Sequence, residues 1–330
     1  MKNTLLLFVI LASMPMSAQF APPAGQIGTT AIHKDSSVIV AWATGIEVER
    51  GLIHIANPSV AHEGSNYATF GEPENALGQA SGNAMDVVSL GDGGMATLSF
   101  ANPIYNGDGP DFCVFENSFS DTYLELAFVE VSSDGQRFVR FPSISRTQTT
   151  TQIDGFGSLD ATKIHNLAGK YRQGFGTPFD LEDLIDSSDI DLNHITHIRI
   201  IDVVGSIDPN YARYDSEGNS INDLFPTPFN SGGFDLDAVG VIHERNELII
   251  DDNPFNSVSV YPNPFSEVFV IQYNIKIDQM LIYDFAGKLV FEQNEMIYGS
   301  EKINLNLEAG VYFMMLVSGS ENYIIKLIKN

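Results

Sequence analysis

Between residues 95 and 241 the chain is cut into short apolar runs, each closed by Gly, Pro, Asp or Asn, and this punctuation limits the fold more than any other feature. Ala96-Thr97-Leu98-Ser99-Phe100 and residues 112–115, 124–132, 138–141 and 195–204 are such runs, enriched in Val, Ile and Phe. Segments this short and this often interrupted read as strands. Residues 124–131 are apolar at both parities, which fits a central strand covered on both faces. Ser133-Asp134-Gly135-Gln136 then reads as a hairpin turn, because Gly supplies the positive φ such turns need. Val38-Ile39-Val40-Ala41-Trp42-Ala43 reads as an earlier strand, and residues 57–94, rich in Gly, Asn and Ser, as a long irregular exposed segment. One short helix is expected after Asp180, which can cap it. Glu182 and Asp183 suit the positive end of its dipole, and Leu181, Leu184 and Ile185 form its apolar side.

Cys113 is the only cysteine, so an intramolecular disulfide and a cysteine-based zinc cluster are both excluded. Within Asp111-Phe112-Cys113-Val114-Phe115 it reads as a small buried hydrophobe. The formal charge is −25 and falls unevenly: residues 19–257 hold 11 basic against 34 acidic side chains, whereas residues 258–330 hold 5 against 8. Such a field repels phosphates and anionic membranes, which sets nucleic acid aside as a partner. Met1-Lys2-Asn3-Thr4, the apolar residues 5–12 and Ser17-Ala18-Gln19 have the three regions of a secretory signal peptide, expected to span residues 1–18. No later run reaches the roughly 18 apolar residues that a membrane helix needs.

The C-terminal residues carry Val260-Tyr261-Pro262-Asn263-Pro264-Phe265, then Ile282-Tyr283-Asp284-Phe285-Ala286-Gly287-Lys288, then Leu307-Glu308-Ala309-Gly310-Val311-Tyr312-Phe313, and end on Lys326-Leu327-Ile328-Lys329-Asn330. In this order they resemble the type A C-terminal sorting domain of cargo exported by the type IX secretion system of Bacteroidetes. The resemblance implies delivery to the outer-membrane cell surface or medium, with the secretion machinery and its sortase-like processing protease as partners. Ile303-Asn304-Leu305-Asn306-Leu307 alternates as one face of a strand should, and turns are expected at Ala286-Gly287-Lys288, Ala309-Gly310 and Ser318-Gly319-Ser320. A polar stretch with Asp251-Asp252-Asn253-Pro254 separates this tail from what precedes it. The expected organisation is signal peptide 1–18, main domain 19–245, linker 246–257 and sorting domain 258–330.

The main domain shows a second resemblance. Glu74-Asn75-Ala76-Leu77-Gly78, Phe128-Val129-Glu130-Val131-Ser132-Ser133-Asp134-Gly135, Ile198-Arg199-Ile200-Ile201-Asp202 and residues 233–241 together resemble discoidin-type, galactose-binding-like jelly rolls. Asn75-Ala76-Leu77-Gly78 stands where that family tends to place an Ala-x-Asp-Gly loop, so the loop carboxylate is missing. Residues 109–117 and Asn166-Leu167-Ala168-Gly169-Lys170-Tyr171 are also similar to stretches of uncharacterised bacterial surface proteins. The expected fold class is all-β, a jelly-roll β-sandwich followed by a small Ig-like β-sandwich.

Two sets of residues are candidates for binding. Asp215, Glu217, Asn219 and Asp223 place oxygen ligands around Gly218, as a loop that wraps Ca²⁺ requires, although the spacing is not that of an EF-hand. The plainer reading is an acidic turn. Tyr171, Phe175, Tyr211 and Tyr214, like Tyr67, Phe70, Tyr105 and Phe156, lie in Gly, Asp and Asn-rich segments, where exposed ring faces beside polar groups suit sugars. Each ring could equally plug its loop onto the core. Asp235 and Asp237 lie two apart and, with Asp111 and Glu116, could line a polar patch or a second ion site, although turn capping accounts for such carboxylates as well. His194 and His197, three apart in a β-rich segment, point to opposite faces and make a poor zinc pair. No nucleophile elbow, zincin helix or phosphate loop is present, and no carboxylate pair stands out as a glycosidase dyad.

The reading that follows is a secreted surface protein that recognises a glycan without catalysis, supported by calcium. Capture of another nutrient such as a corrinoid, glycan hydrolysis, and adhesion are the alternatives. Deleting residues 258–330 is expected to leave ligand binding intact and trap the protein in the periplasm, as cell fractionation would show. Normal surface display of that truncation would contradict the resemblance of the tail.

Overall fold

A computed structural model describes residues 20–245, 258–319 and 321–330. The expected signal peptide and linker lie outside these residues. The chain divides into two compact units, Met1–Asn246 and Glu247–Asn330.

The first unit is a sandwich of antiparallel sheets, as the short apolar runs predict. One sheet has the order Ile32–His33, Phe175–Phe179, Phe112–Glu116, Asp235–Val241, Ala41–Trp42, with Val88–Ser89 also paired to Asp235–Val241. The other runs Gly45–Glu49, Met95–Ile104, Ile195–Asp202, Ala127–Ser132, Val139–Arg140. Their facing side chains form one core, with Ala96, Leu98, Val129, Val131, Ile198 and Ile200 from one sheet and Phe112, Val114, Leu236, Val239 and Val241 from the other.

Three strands are covered on both faces, Asp235–Val241 among them. Phe112–Glu116 is buried along its whole length. Phe112 and Val114 enter the core between the sheets, while Cys113 and Phe115 point outward to Ala80, Ala238 and the partly buried Ile32, Ile39 and Trp42. Cys113 is therefore the buried hydrophobe that its setting suggests. In Ala127–Ser132, Val129 and Val131 face the main core, and Phe128 turns outward to Leu124, Leu126, Leu159, Leu167 and Ile221. This explains why residues 124–131 are apolar at both parities.

Several local expectations are met and others shift. The turn after Ser132 forms, with Gly135 at φ 71° and the Asp134 carboxylate accepting from the backbone N–H groups of Gln136 and Arg137. The expected helix is a single 3₁₀ turn, Leu181–Leu184, capped by Asp180; Leu181 and Leu184 are buried, but Ile185 is exposed. Only Ala41–Trp42 of the expected first strand pairs, because it lies at a sheet edge and leaves Val38 and Val40 in solvent. Within the long irregular segment, residues 87–92 are buried instead of exposed, since Val88–Ser89 joins the sheet.

The second unit is one five-stranded antiparallel sheet that closes over its own core. Its long strands Val268–Asp284 and Leu289–Asn304 pair along most of their length, with an irregularity between Tyr273 and Lys276. Ser259–Tyr261 adds to the first half of Val268–Asp284, and Gly310–Ser318 followed by Glu321–Lys329 to the second. Phe269 and Ile271 from one half and Met280, Ile282, Met314, Leu316 and Leu327 from the other share a single apolar cluster. Ile303 and Leu305 point into it and Asn304 and Asn306 point out, as their alternation predicts.

One contact links this frame to the site described below. Gly169 has φ 79°, and a Cβ there would run into the carbonyl oxygen of Glu125. Gly169→Ala is therefore expected to lower stability by about 2–4 kcal/mol, from backbone strain and the displaced segment. A urea denaturation midpoint equal to that of the wild type would contradict this packing.

Candidate functional site

The strand ends that carry Glu116 and Asp235 are adjacent, since Leu236 pairs with Glu116. Beside them opens a cleft of about 410 Å³, within the range of about 300–1,000 Å³ usual for small-ligand sites. Polar groups come from three elements. Asn117 leaves the Phe112–Glu116 strand, Asp235 begins Asp235–Val241, and Glu125 lies just ahead of Ala127–Ser132. Thr227, Asn230 and Ser231 line another wall. Asn117 Nδ2 donates to Asp235 Oδ2 at 3.0 Å and to the Ala84 carbonyl at 3.2 Å, and the Ser89 hydroxyl donates to Asp235 Oδ1. These bonds hold Asp235 in place. Glu125 is 6% exposed, and no described residue hydrogen-bonds its carboxyl.

The rim is apolar and open. Phe119, Phe156 and Phe229 are 68%, 74% and 37% exposed, which is unusual for phenyl rings and marks them as uncovered surface. Phe119 stacks on Tyr123 with centroids 4.4 Å apart, and Phe156 leans on Phe229 at 5.7 Å. Phe156 is presented by a turn in which its N–H donates to Asp154 Oδ1, and Gly155 lets that turn press against the Pro226 carbonyl, where a Cβ would collide. Met85 adds a further exposed apolar side chain.

Burial dominates the electrostatics. It pushes the Glu125 carboxyl well above the ordinary carboxylate range, helped by the neighbouring acids Asp235, Glu116, Asp223 and Asp202. Glu116 is raised by burial and by Asp235; its Oε2 accepts from the Ser118 N–H, and its buried Oε1 has no partner among the described residues. Asp235 is raised to about 7, mainly by burial. Behind the cleft, burial also raises Asp223 to about 8, Asp92 to about 7 and Asp202 to about 6. Asp202 keeps the lowest of these values because the N–H groups of Gly93, Val204 and Phe234 donate to it.

Of the residues singled out from the sequence, Asp235 lies in the cleft with Glu116 at its margin, while the leading aromatic and calcium candidates fall elsewhere. Tyr171 is 1% exposed, with its hydroxyl against Thr30 Oγ1, so its ring offers no face to a ligand. Phe175 packs edge-on to His33 and beneath the Arg172 guanidinium. Tyr211 is half-buried and Tyr214 is exposed beside a bridge to Ser220; neither lines the cleft. Of the wider set of aromatics, Phe70 and Phe156 do.

The expected calcium loop is a hydrogen-bonded turn. Asp215 accepts from the N–H groups of Glu217 and Asn219 through Oδ1 and from Ser145 N–H through Oδ2, while Glu217 and Asn219 face solvent. Asp223 turns away to accept from Leu126 and Leu224 N–H at 2.6 and 2.7 Å. Asn219 Nδ2 donates to both Asp215 oxygens, at 3.3 and 3.2 Å, but Glu217 and Asp223 do not join them, and among the described residues no three His, Cys, Asp or Glu side chains are grouped to hold a metal ion. Asp111 and Asp237 are caps: the first accepts from Gly107 and Leu181 N–H and faces His243 Nδ1, and the second accepts from Ser81 and Gly82 N–H. Phe119, Phe229, Asn117 and Glu125 were not predicted. They are scattered over more than a hundred residues, and only pairing between distant strands brings them together.

Residues 259–330 match the family described as a secretion system C-terminal sorting domain. The chain carries that domain as its tail and is secreted by the type IX route to the cell surface or extracellular space. Among the described residues no helix is long and apolar enough to cross a membrane. No curated protein matches the chain. Among solved structures it is similar to a beta-D-glucuronidase of Dictyoglomus thermophilum, with 13% identity over 90% of this chain and 44% of that one, at a TM-score of 0.21. It is also similar to the BSP domain of a biofilm associated protein, with 12% identity over 90% of this chain and 53% of that one, at a TM-score of 0.19. The chain spans about half the length of these two.

The buried acids set a pH dependence. Asp223, Asp235 and Asp92 keep their protons in the folded state up to about pH 8, 7 and 7, against an ordinary value of 3.8. Between these limits the unfolded chain binds fewer protons than the folded one, so the stability these groups contribute is complete below about pH 4 and is lost as pH rises through about 8. Differential scanning calorimetry should show the midpoint of the main domain falling across this interval and levelling above it. A midpoint that rises across the interval would contradict the assignment.

Proposed function

We propose that this protein is a secreted surface receptor whose main domain recognises a glycan in the cleft between Phe119, Phe156 and Phe229, without catalysis. The observation that carries the reading is the conjunction of exposed phenyl faces at the rim with hydrogen-bonding groups at the floor. Sugars present apolar C–H faces and hydroxyls on the same ring, and they are held by stacking on one and hydrogen bonds to the other. Asn117, Thr227 and Asn230 supply the polar half in neutral form, and Glu125 and Asp235 supply it as carboxyls. The sorting tail supports the extracellular setting in which such ligands are met. A sortase-like protease that removes the tail after export would leave the cleft untouched, because every residue lining it belongs to the first unit.

One observation favours a second reading. Glu125 and Asp235 are two carboxyls with raised proton affinity in one cleft, as an acid and its partner would be in a glycoside hydrolase. Release of reducing ends from an oligosaccharide panel, abolished by Glu125→Gln, would replace recognition with hydrolysis.

Recognition is tested by calorimetric titration against a broad oligosaccharide panel. Saturable binding is expected, and Phe156→Ala should weaken it by about 5- to 10-fold, the loss of one stacking face worth about 1–1.5 kcal/mol. The thermal midpoint should not move, because Phe156 is 74% exposed. Binding that is indifferent to this substitution would remove the cleft from the proposal.

A further inference from the structure

We infer that the glycan held in this cleft bears free amino groups, a de-N-acetylated amino sugar oligomer whose ammonium meets the rim rings and the Glu125 and Asp235 carboxyls. The inference rests on the glycan reading and narrows it to one ligand class.

The chemistry of the lining excludes acidic sugars first. No Lys, Arg or His lines the cleft among the described residues, and its only ionisable groups besides Tyr123 are the two carboxyls. A uronate or sulfate would sit there unpaired, against a domain whose residues 19–257 carry 34 acidic and 11 basic side chains. The same field raises the local concentration of cations.

Glu125 then separates cationic from neutral ligands. Glu125 is 6% exposed as a residue, lines the cleft, and its carboxyl receives no hydrogen bond from any described residue. Asp235 beside it is satisfied by Ser89 and Asn117. The Glu125 oxygens, unlike the buried Oε1 of Glu116, are open to a donor brought by a ligand. The groups around Glu125 are Asp235, Glu116, Asp223 and Asp202, all acids. The nearest cation in the field of Asp235 is Arg50, which is held behind the cleft by the carbonyls of Phe70, Gly71 and Ser89. A neutral hydroxyl could donate to Glu125 but could not offset the negative charge that this group of acids acquires on ionising. An ammonium donates and also neutralises. Its approach passes Phe119, Phe156 and Phe229, whose exposed faces attract a cation through the ring quadrupole.

Charge balance gives a signature that neutral binding lacks. Burial and the acidic neighbours raise the proton affinity of Glu125 well above the ordinary carboxylate range. An ammonium beside it lowers that affinity, so a proton given up on binding goes to solvent and the carboxylate forms the ion pair. The full chain is titrated at slightly acid pH, where the sugar amines are ammonium ions, with glucosamine oligosaccharides, with their N-acetylated counterparts and with cello-oligosaccharides, each in buffers of high and low ionisation enthalpy. The amino oligomers are expected to bind about tenfold or more tightly than the N-acetylated ones, since burying an unpaired charge partner is costly. Their apparent enthalpy should change with buffer, which reports proton release and needs no variant. Glu125→Gln should abolish the preference and the buffer dependence, while Phe156→Ala should weaken all ligands that bind. Equal or tighter binding of N-acetylated or cello-oligosaccharides without buffer dependence would overturn the inference and leave glycan recognition standing. Silence toward every oligosaccharide would overturn both.

Discussion

The pairing of Phe112–Glu116 with Asp235–Val241 is the contact on which the rest of the main domain depends. Both strands are buried from end to end, so their side chains serve two apolar layers at once, the core between the sheets and the cluster around Trp42. The outer cover recruits the edge segments Ile32–His33 and Ala41–Trp42, which have little apolar content of their own. Where the pair ends, the covering stops. Glu116 and Asp235 lie at that margin, and the chain leaving each strand supplies a wall of the cleft. The site is thus a boundary of the core.

That placement explains the unusual electrostatics. Carboxyls at the edge of a doubly covered strand lose their water and find mainly each other as neighbours, with a few donors and the Arg50 charge offsetting part of the cost at Asp235. Desolvation then outweighs hydrogen bonding, and the groups hold their protons. Asp202 shows the opposite balance, with three backbone donors offsetting much of the same burial. Glu125 and Glu116 have fewer donors and carry the larger imbalance. A domain assembled for stability alone would place amides or apolar groups at such positions.

Much of the fold was legible because strands advertise themselves locally. The double parity of residues 124–131, the Asp134-Gly135 turn and the alternation at Ile303, Leu305 and Asn304 depend on neighbours in the chain, and each reappears in the structure. The tail was read from its motifs and is matched over residues 259–330. The site was largely illegible for the converse reason. Asp223 looked like part of a loop with Asp215 because eight positions separate them, yet it bonds to Leu126, 97 residues away. Tyr171 sits among Gly and polar residues as an exposed ring would, but its hydroxyl finds Thr30 from 141 residues away and the ring is buried. Phe119 and Phe229 stand in polar, Ser- and Pro-containing segments with no periodicity to mark them.

The same strand pair has a consequence for when the domain can form. Val114 meets Val239 and Phe112 meets Val241, residues more than a hundred positions apart, and Ala41 closes on Val241 from the far side. A chain that emerges from its N-terminus cannot complete this ladder until residue 241 is free. Nothing shorter encloses the core, because the second sheet has all its strands by residue 202 but Phe112–Glu116 keeps one edge open until Asp235–Val241 arrives. The core of the domain therefore closes late in its own emergence. Its acidic excess keeps such an extended chain apart from its neighbours during that interval.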